Sequence, residues 1–168
     1  MADLKAGANP LFLRDEELRQ GIELLFYAYR DHTAEADAIL AELGLGRAHH
    51  RVIYFVGRYP GISVGELLDI LRITKQSLSR VLGELLAGGF VEQRKGARDR
   101  RQRLLSLSPA GQALEQRLSD IQCRRLARAY RRAGAEAVAG FRTVLGGITE
   151  ERDLRRMAAR TAAGERSG

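Results

Sequence analysis

The window from Ser63 to Ser108 constrains this chain more than any other stretch. Ser63 followed by Glu66 is a capping box, in which the serine oxygen takes an amide three residues on while the glutamate reaches back. The helix it opens carries Val64, Leu67, Leu68 and Leu71. Thr74 is a good N-cap for a second helix. There Leu78, Val81, Leu82 and Leu85 recur at helical spacing and must face a core. That leaves Lys75, Gln76, Ser79, Arg80 and Gly83 on the opposite face. Gly88-Gly89 ends the helix. FVEQRK and RQRLLSLS then read as two short strands joined by the loop Gly96 to Arg103.

Charge singles out the same window. Arg94, Lys95, Arg98, Arg100, Arg101 and Arg103 stand against one acid, Asp99, so these ten positions carry +5 of a formal +7. Excess charge gathered in one loop beside a helix-turn-helix pattern predicts contact with a polyanion. Arginines on a hairpin tip can enter a narrow minor groove, where the potential is most negative. Asp99 looks misplaced if charge alone matters, and the expectation is that it braces Arg101 through a bidentate pair. On the second helix Gln76 can pair with adenine, Lys75 or Arg80 with guanine or phosphate, and Ser77 or Ser79 with either. The bland alternative for both features is a solvated polar face.

Composition narrows the classes. A length of 168 residues suits one domain, or a small module with added helices. The lone Cys123 excludes an intrachain disulfide framework and a cysteine-based zinc site, and no cofactor or metal signature is present. The N-terminus does not read as a signal peptide. The apolar runs are too short for a membrane span. A cytoplasmic protein is expected, nucleoid-associated when bound to DNA.

The flanks are helical. Residues 1–14 read as a flexible arm. From Asp15, Leu18, Ile22, Leu25, Tyr29, Ala36, Ile39, Leu40 and Leu43 mark one helical face, stopped by Gly44-Leu45-Gly46. Arg47 to Arg58 contains VIYFV, which fits a strand or a helix; a helix is the reading taken. Ser108-Pro109 is a strong helix start. The stripe Leu114, Leu118, Ile121, Leu126, Tyr130 follows, then a break at Ala133-Gly134-Ala135 and a further helical stretch with Val138, Phe141, Val144, Leu145 and Ile148. Residues 159–168 read as a disordered tail. So much apolar helical surface exceeds what a module of some 60 residues can cover, and leftover apolar surface of this kind commonly meets its own copy.

Three further features have competing explanations. Gly61-Ile62-Ser63-Val64-Gly65 matches the nucleophile elbow of serine hydrolases. That fold needs a histidine after the serine, whereas His32, His49 and His50 all precede it, and the capping box already accounts for Ser63. Adjacent His49 and His50 project about 100° apart on a helix, which is wrong for a metal clamp. They read as a polar helix end or, with Tyr27, Arg30 and Tyr54, as an effector pocket. Cys123, beside Arg124 and Arg125, could be an activated thiol, though a lone helical cysteine is more often a small filler.

The helix pair 62–91, the Asp99-Arg100-Arg101 signature and LLSLSPAGQAL together resemble the MarR-type winged-helix transcription regulators. The resemblance spans about Gly44 to Leu118, and Arg51 to Arg103 is most similar to the PetP group of that family. It implies a mainly α fold with a small β-hairpin wing, a winged helix-turn-helix plus a helical dimerisation domain. The implied division is residues 46–108 for DNA binding and 15–45 with 109–158 for dimerisation. It further implies a homodimer on double-stranded DNA with a pseudo-palindromic operator. Thr74, Lys75, Gln76, Ser77, Ser79 and Arg80 would lie on the recognition helix and Asp99 and Arg101 on the wing, with a small-molecule effector between the two regions. A winged-helix module that binds RNA or an acidic protein is the alternative.

Overall fold

A computed structural model describes residues 10–165. A 3-10 turn at Leu11–Leu13 leads into α1 (Asp15–Glu42), α2 (Arg47–Arg58), β1 (Ile62–Ser63), α3 (Val64–Leu71) and α4 (Lys75–Ala87). Then come β2 (Val91–Lys95), β3 (Arg103–Leu107), α5 (Pro109–Ala133), α6 (Ala135–Ile148) and α7 (Glu151–Glu165). Local chemistry sets these limits. Asp15, Glu16 and Glu17 in the first turn of α1 favour the positive end of its dipole. Its far end closes at Gly44 (φ 68°), with the Leu45 amide donating back to the Leu40 carbonyl at 2.9 Å. Ser63, Thr74 and Ser108 each accept an amide N–H three residues on, from Glu66, Ser77 and Gly111.

The VIYFV segment is helical. Val52, Ile53 and Val56 turn inward from α2 and are fully buried, because helical spacing puts all three on one face. They meet Leu67 of α3, Leu78, Val81 and Leu85 of α4, Leu105 of β3 and Leu118 of α5 in a single core. The sheet has the order β1-β3-β2, antiparallel throughout, with Ile62 opposite Leu105 and Val91 opposite Leu107. β1 was not expected from the sequence. Its two residues are too few for an alternating pattern, and the capping box at Ser63 masks it.

Two expectations need adjustment. Residues 1–9 of the expected arm lie outside the described residues, and the turn at Leu11–Leu13 gives its remainder structure. The tail expected to be disordered from residue 159 is helical to Glu165, as part of α7. Gly146-Gly147 lies in the last turn of α6, which ends one residue on at Ile148. The apolar stripe of α1 is half covered, in line with the expected excess of apolar helical surface: Ala36 and Leu40 are buried, but Leu18, Ile22 and Leu25 are exposed. α6 buries no residue at all, and Phe141, Val144 and Ile148 face solvent.

α7 ties the C-terminal helices to the helix-turn-helix. Arg72 sits in the turn after α3 with left-handed backbone (φ 51°) and reaches Glu150 at 2.6 Å and Asp153 at 3.1 Å. Asp69 receives Arg152 at 2.8 Å and Arg156 at 2.7 Å. Single exposed pairs contribute little, but a network sharing its partners holds geometry better.

At the base of the hairpin, α5 passes so close to β2 that a Cβ on Gly111 would lie 1.9 Å from the Phe90 carbonyl oxygen. Gly111→Ala should therefore cost about 3 kcal/mol of stability, at the upper end of ordinary overpacking. Gly83→Ala, in open space on α4, should stabilise by roughly 0.5–1 kcal/mol through helix propensity. Denaturant midpoints of the two variants check both signs.

Candidate nucleic-acid interface

The outward side of α4 follows from its inward side. With Leu78, Val81, Leu82 and Leu85 buried, Lys75, Gln76, Ser77, Ser79 and Arg80 are all exposed. Thr74 caps the helix: its Oγ1 accepts the Ser77 amide at 3.1 Å and donates to the Ser77 hydroxyl at 2.8 Å. Capping uses those two oxygens, so Lys75, Gln76, Ser79 and Arg80 are the freer donors and acceptors. Arg80 forms an i,i+4 pair with Glu84 at 3.0 Å.

The hairpin loop is a folded tip. The Gly96 amide donates to the Gln102 carbonyl at 3.0 Å and the Gln102 amide to the Asp99 carbonyl at 3.1 Å. A Cβ at position 96 would lie 2.6 Å from the Asp99 carbonyl oxygen, so the tip requires glycine there. Asp99 behaves differently from expectation. Its Oδ1 accepts the Arg101 backbone N–H at 2.9 Å and makes no bidentate pair with the Arg101 guanidinium. An Asx turn of this kind shapes the loop without consuming a cation. Arg94, Lys95, Arg98, Arg100, Arg101 and Arg103 are all exposed, and among the described residues none of them is in an ion pair. The full charge of the tip remains available to an anion.

A cleft of about 520 Å³ opens between α1, α2, α3 and α5, with Tyr29, His32, His50, Arg51, Tyr54 and Cys123 on its walls. Of the five residues expected to form an effector pocket, His50 and Tyr54 line it. Tyr27 and Arg30 do not: they lie on the exposed half of α1, where Arg30 packs over the Tyr27 ring at 4.9 Å and pairs with Asp31. His49 is also turned away, with Nε2 on Glu84 of α4 at 2.5 Å. Tyr29 and Thr33 were legible as wall residues, being in helical phase with the buried Ala36 and Leu40. Arg51 donates to the Tyr29 hydroxyl at 3.0 Å across the mouth.

Ser63 is fully engaged as a cap. Its Oγ accepts the Glu66 amide at 3.2 Å and donates to the Glu66 carboxylate at 2.7 Å; the Ser63 backbone N–H, donating to the same carboxylate at 2.8 Å, and then the hydroxyl hold that carboxyl below its usual range. The hydrolase motif is thus a helix start. Cys123 is a free, exposed thiol on the cleft wall. No helix among the described residues is long and apolar enough to cross a membrane.

Residues 43–102 match the MarR family. The chain is 53% identical over 147 residues to the HTH-type transcriptional regulator PetP of Rhodobacter capsulatus, covering 86% of this chain and 89% of that protein. Its fold is similar to Streptococcus pneumoniae FabT in complex with DNA (TM-score 0.70, 15% identity, 83% of this chain and 99% of that one). It is also similar to NadR in complex with 4-hydroxyphenylacetate (TM-score 0.60, 20% identity, 88% of this chain and 97% of that one).

The cleft histidines generate a pH dependence. Burial pushes His50 below the ordinary imidazole range, and burial followed by the Arg125 charge does the same to His32. The fold therefore favours their neutral forms. That stability is complete above the unfolded pKa of about 6.5 and is lost as pH falls toward the depressed folded values. The melting temperature of His50→Gln should fall less than that of the native chain between pH 7 and pH 5. Parallel curves would show that His50 is not a source of the acid sensitivity.

Proposed function

The chain belongs to the MarR family of transcription regulators, and from that premise we propose that it is a dimeric, sequence-specific reader of double-stranded DNA. α4 enters the major groove with Lys75, Gln76, Ser79 and Arg80 toward the bases. The tip from Gly96 to Arg103 enters the adjoining minor groove. The observation that carries this reading is the coexistence of an exposed polar face on α4, where Lys75, Gln76, Ser79 and Arg80 reach solvent, with six cations on the next hairpin that are in no ion pair among the described residues. A structural hairpin has no use for that charge, and an enzyme would need a polar, convergent site that Ser63 does not provide.

The dimer is formed by the helices outside residues 46–108. Their apolar residues are exposed in one chain: Leu18, Ile22 and Leu25 on α1, Phe141, Val144 and Ile148 on α6. A second copy related by a two-fold axis covers such surfaces at both ends at once. Two-fold pairing places two α4 helices about one DNA turn apart, roughly 34 Å, and calls for a pseudo-palindromic site. The cleft below the α1–α5 junction is the place for a small effector. Its walls combine aromatic rings with Arg51 and His50, a lining suited to an aromatic acid of the kind seen with the similarly folded NadR. No catalytic activity is part of this reading.

Titration with double-stranded DNA at two salt concentrations tests it. A reader that neutralises six or more phosphates should lose about 1,000-fold or more in affinity between 50 and 200 mM salt. Arg101→Ala should weaken binding about tenfold and flatten that dependence by about one unit of slope. Equal or tighter binding to RNA would favour the RNA-binding alternative, and an unchanged affinity in Arg101→Ala would remove the tip from the interface.

A further inference from the structure

Glu84 is out of place on a helix that faces DNA. It lies in the C-terminal half of α4, where the helix dipole disfavours a carboxylate. It also stands one turn beyond Arg80, in line with Gln76, on a surface that meets phosphate. A free carboxylate there would only repel. It is not free: its two oxygens are held by two different elements. Oε1 accepts Arg80 Nη1 at 3.0 Å, and Oε2 accepts His49 Nε2 at 2.5 Å. His49 is itself fixed, because its Nδ1 accepts the Gly46 amide at 3.0 Å, which leaves the ring proton on Nε2 to donate. The imidazole is nearly enclosed (9% exposed), whereas Glu84 and Arg80 are 44% and 67% exposed. The chain of contacts thus runs from the buried start of α2 to the exposed face of α4.

We infer that Glu84, anchored by His49, is a specificity-determining positioning residue that sets Arg80 to read a base edge in place of a phosphate. Two physical consequences support this. A guanidinium with one donor committed to a carboxylate keeps its remaining donors in a fixed fork, the arrangement suited to guanine O6 and N7. The paired charge is also largely neutralised, so Arg80 gains little from an arbitrary phosphate. An unclamped arginine at the same position would bind any backbone oxygen within reach and would lose more side-chain freedom on docking. The wing shows the opposite design, since Asp99 spends its carboxylate on a backbone amide and leaves its neighbouring arginines fully charged. One acid therefore converts a cation into a reader, and the other leaves cations as general anchors. The neighbouring His50, one residue from the anchor, lines the cleft, so whatever displaces the first turn of α2 also reaches Arg80.

This inference rests on the DNA-reading function proposed above, and the test separates the two. The native chain first selects a duplex from a random pool. Affinities are then measured for that duplex, for each of its single base-pair variants, and for a random-sequence duplex of equal length. The proteins compared are the native chain, E84Q, R80A and the double variant. E84Q keeps the shape of the side chain and an exposed position, so folding is not at issue, and circular dichroism confirms it. The expected result is a loss of about tenfold in discrimination at one base-pair position per half-site in E84Q, at the position that R80A also loses. Affinity for the random duplex should rise or hold, because one negative charge is gone. The double variant should lose no more discrimination than R80A. Full discrimination in E84Q, or an equal fall on selected and random duplexes, overturns the positioning role. A native chain that does not prefer the selected duplex overturns the DNA-reading function itself.

Discussion

Burial of Leu78, Val81, Leu82 and Leu85 against α2, β2 and the rest of the core is the constraint from which the other features follow. Each such side chain contributes roughly 1.5–3 kcal/mol on burial. Turning α4 by one residue would expose much of that, on the order of 6 kcal/mol or more. The helix therefore has one rotational setting, and that setting decides which residues reach solvent. Caps at Ser63 and Thr74 fix where α3 and α4 begin, and the network around Asp69 and Arg72 holds the turn between them. The orientation of the polar face is thus a product of apolar packing and helix termini.

A second consequence concerns what the core leaves uncovered. The N-terminal half of α1 and much of α6 carry apolar residues, Leu18, Ile22 and Leu25 with Phe141, Val144 and Ile148, that are exposed among the described residues. In the proposed dimer this surface is a second half-core, and the helix-turn-helix modules are set by it as a pair. α7 then has a clear mechanical role. Through Arg72, Asp153, Asp69 and Arg156 it joins the end of the C-terminal helices to the turn that precedes α4.

Most of the architecture could be read from local pattern. The capping residues, the Ser108-Pro109 start, the Gly44 stop and the break at Gly134 sit where the sequence places them, because each acts within a few residues of itself. What escaped depends on distance in the chain. The partnership of His49 with Glu84 joins residues 35 positions apart, and no spacing rule connects them. The same holds for the cleft: Tyr54 and His50 were legible as neighbours on α2, whereas Cys123 joins them only through packing of α5. Tyr27 and Arg30 were assigned to that pocket on residue type alone, and helical phase turns them outward. Asp99 was expected to hold the Arg101 guanidinium and instead accepts the Arg101 backbone amide, since backbone amides within a tight loop compete well with a flexible guanidinium.

The central claim is that two copies of this surface address DNA together, each with a helix in the major groove and a charged tip in the minor groove. Hydroxyl-radical footprinting on a duplex selected by the chain tests it most directly. The account predicts a two-fold symmetric pattern: two protected segments centred about one helical turn apart, roughly 34 Å, each flanked on its outer side by minor-groove protection. A single asymmetric footprint, or protection without the flanking minor-groove signal, would contradict it.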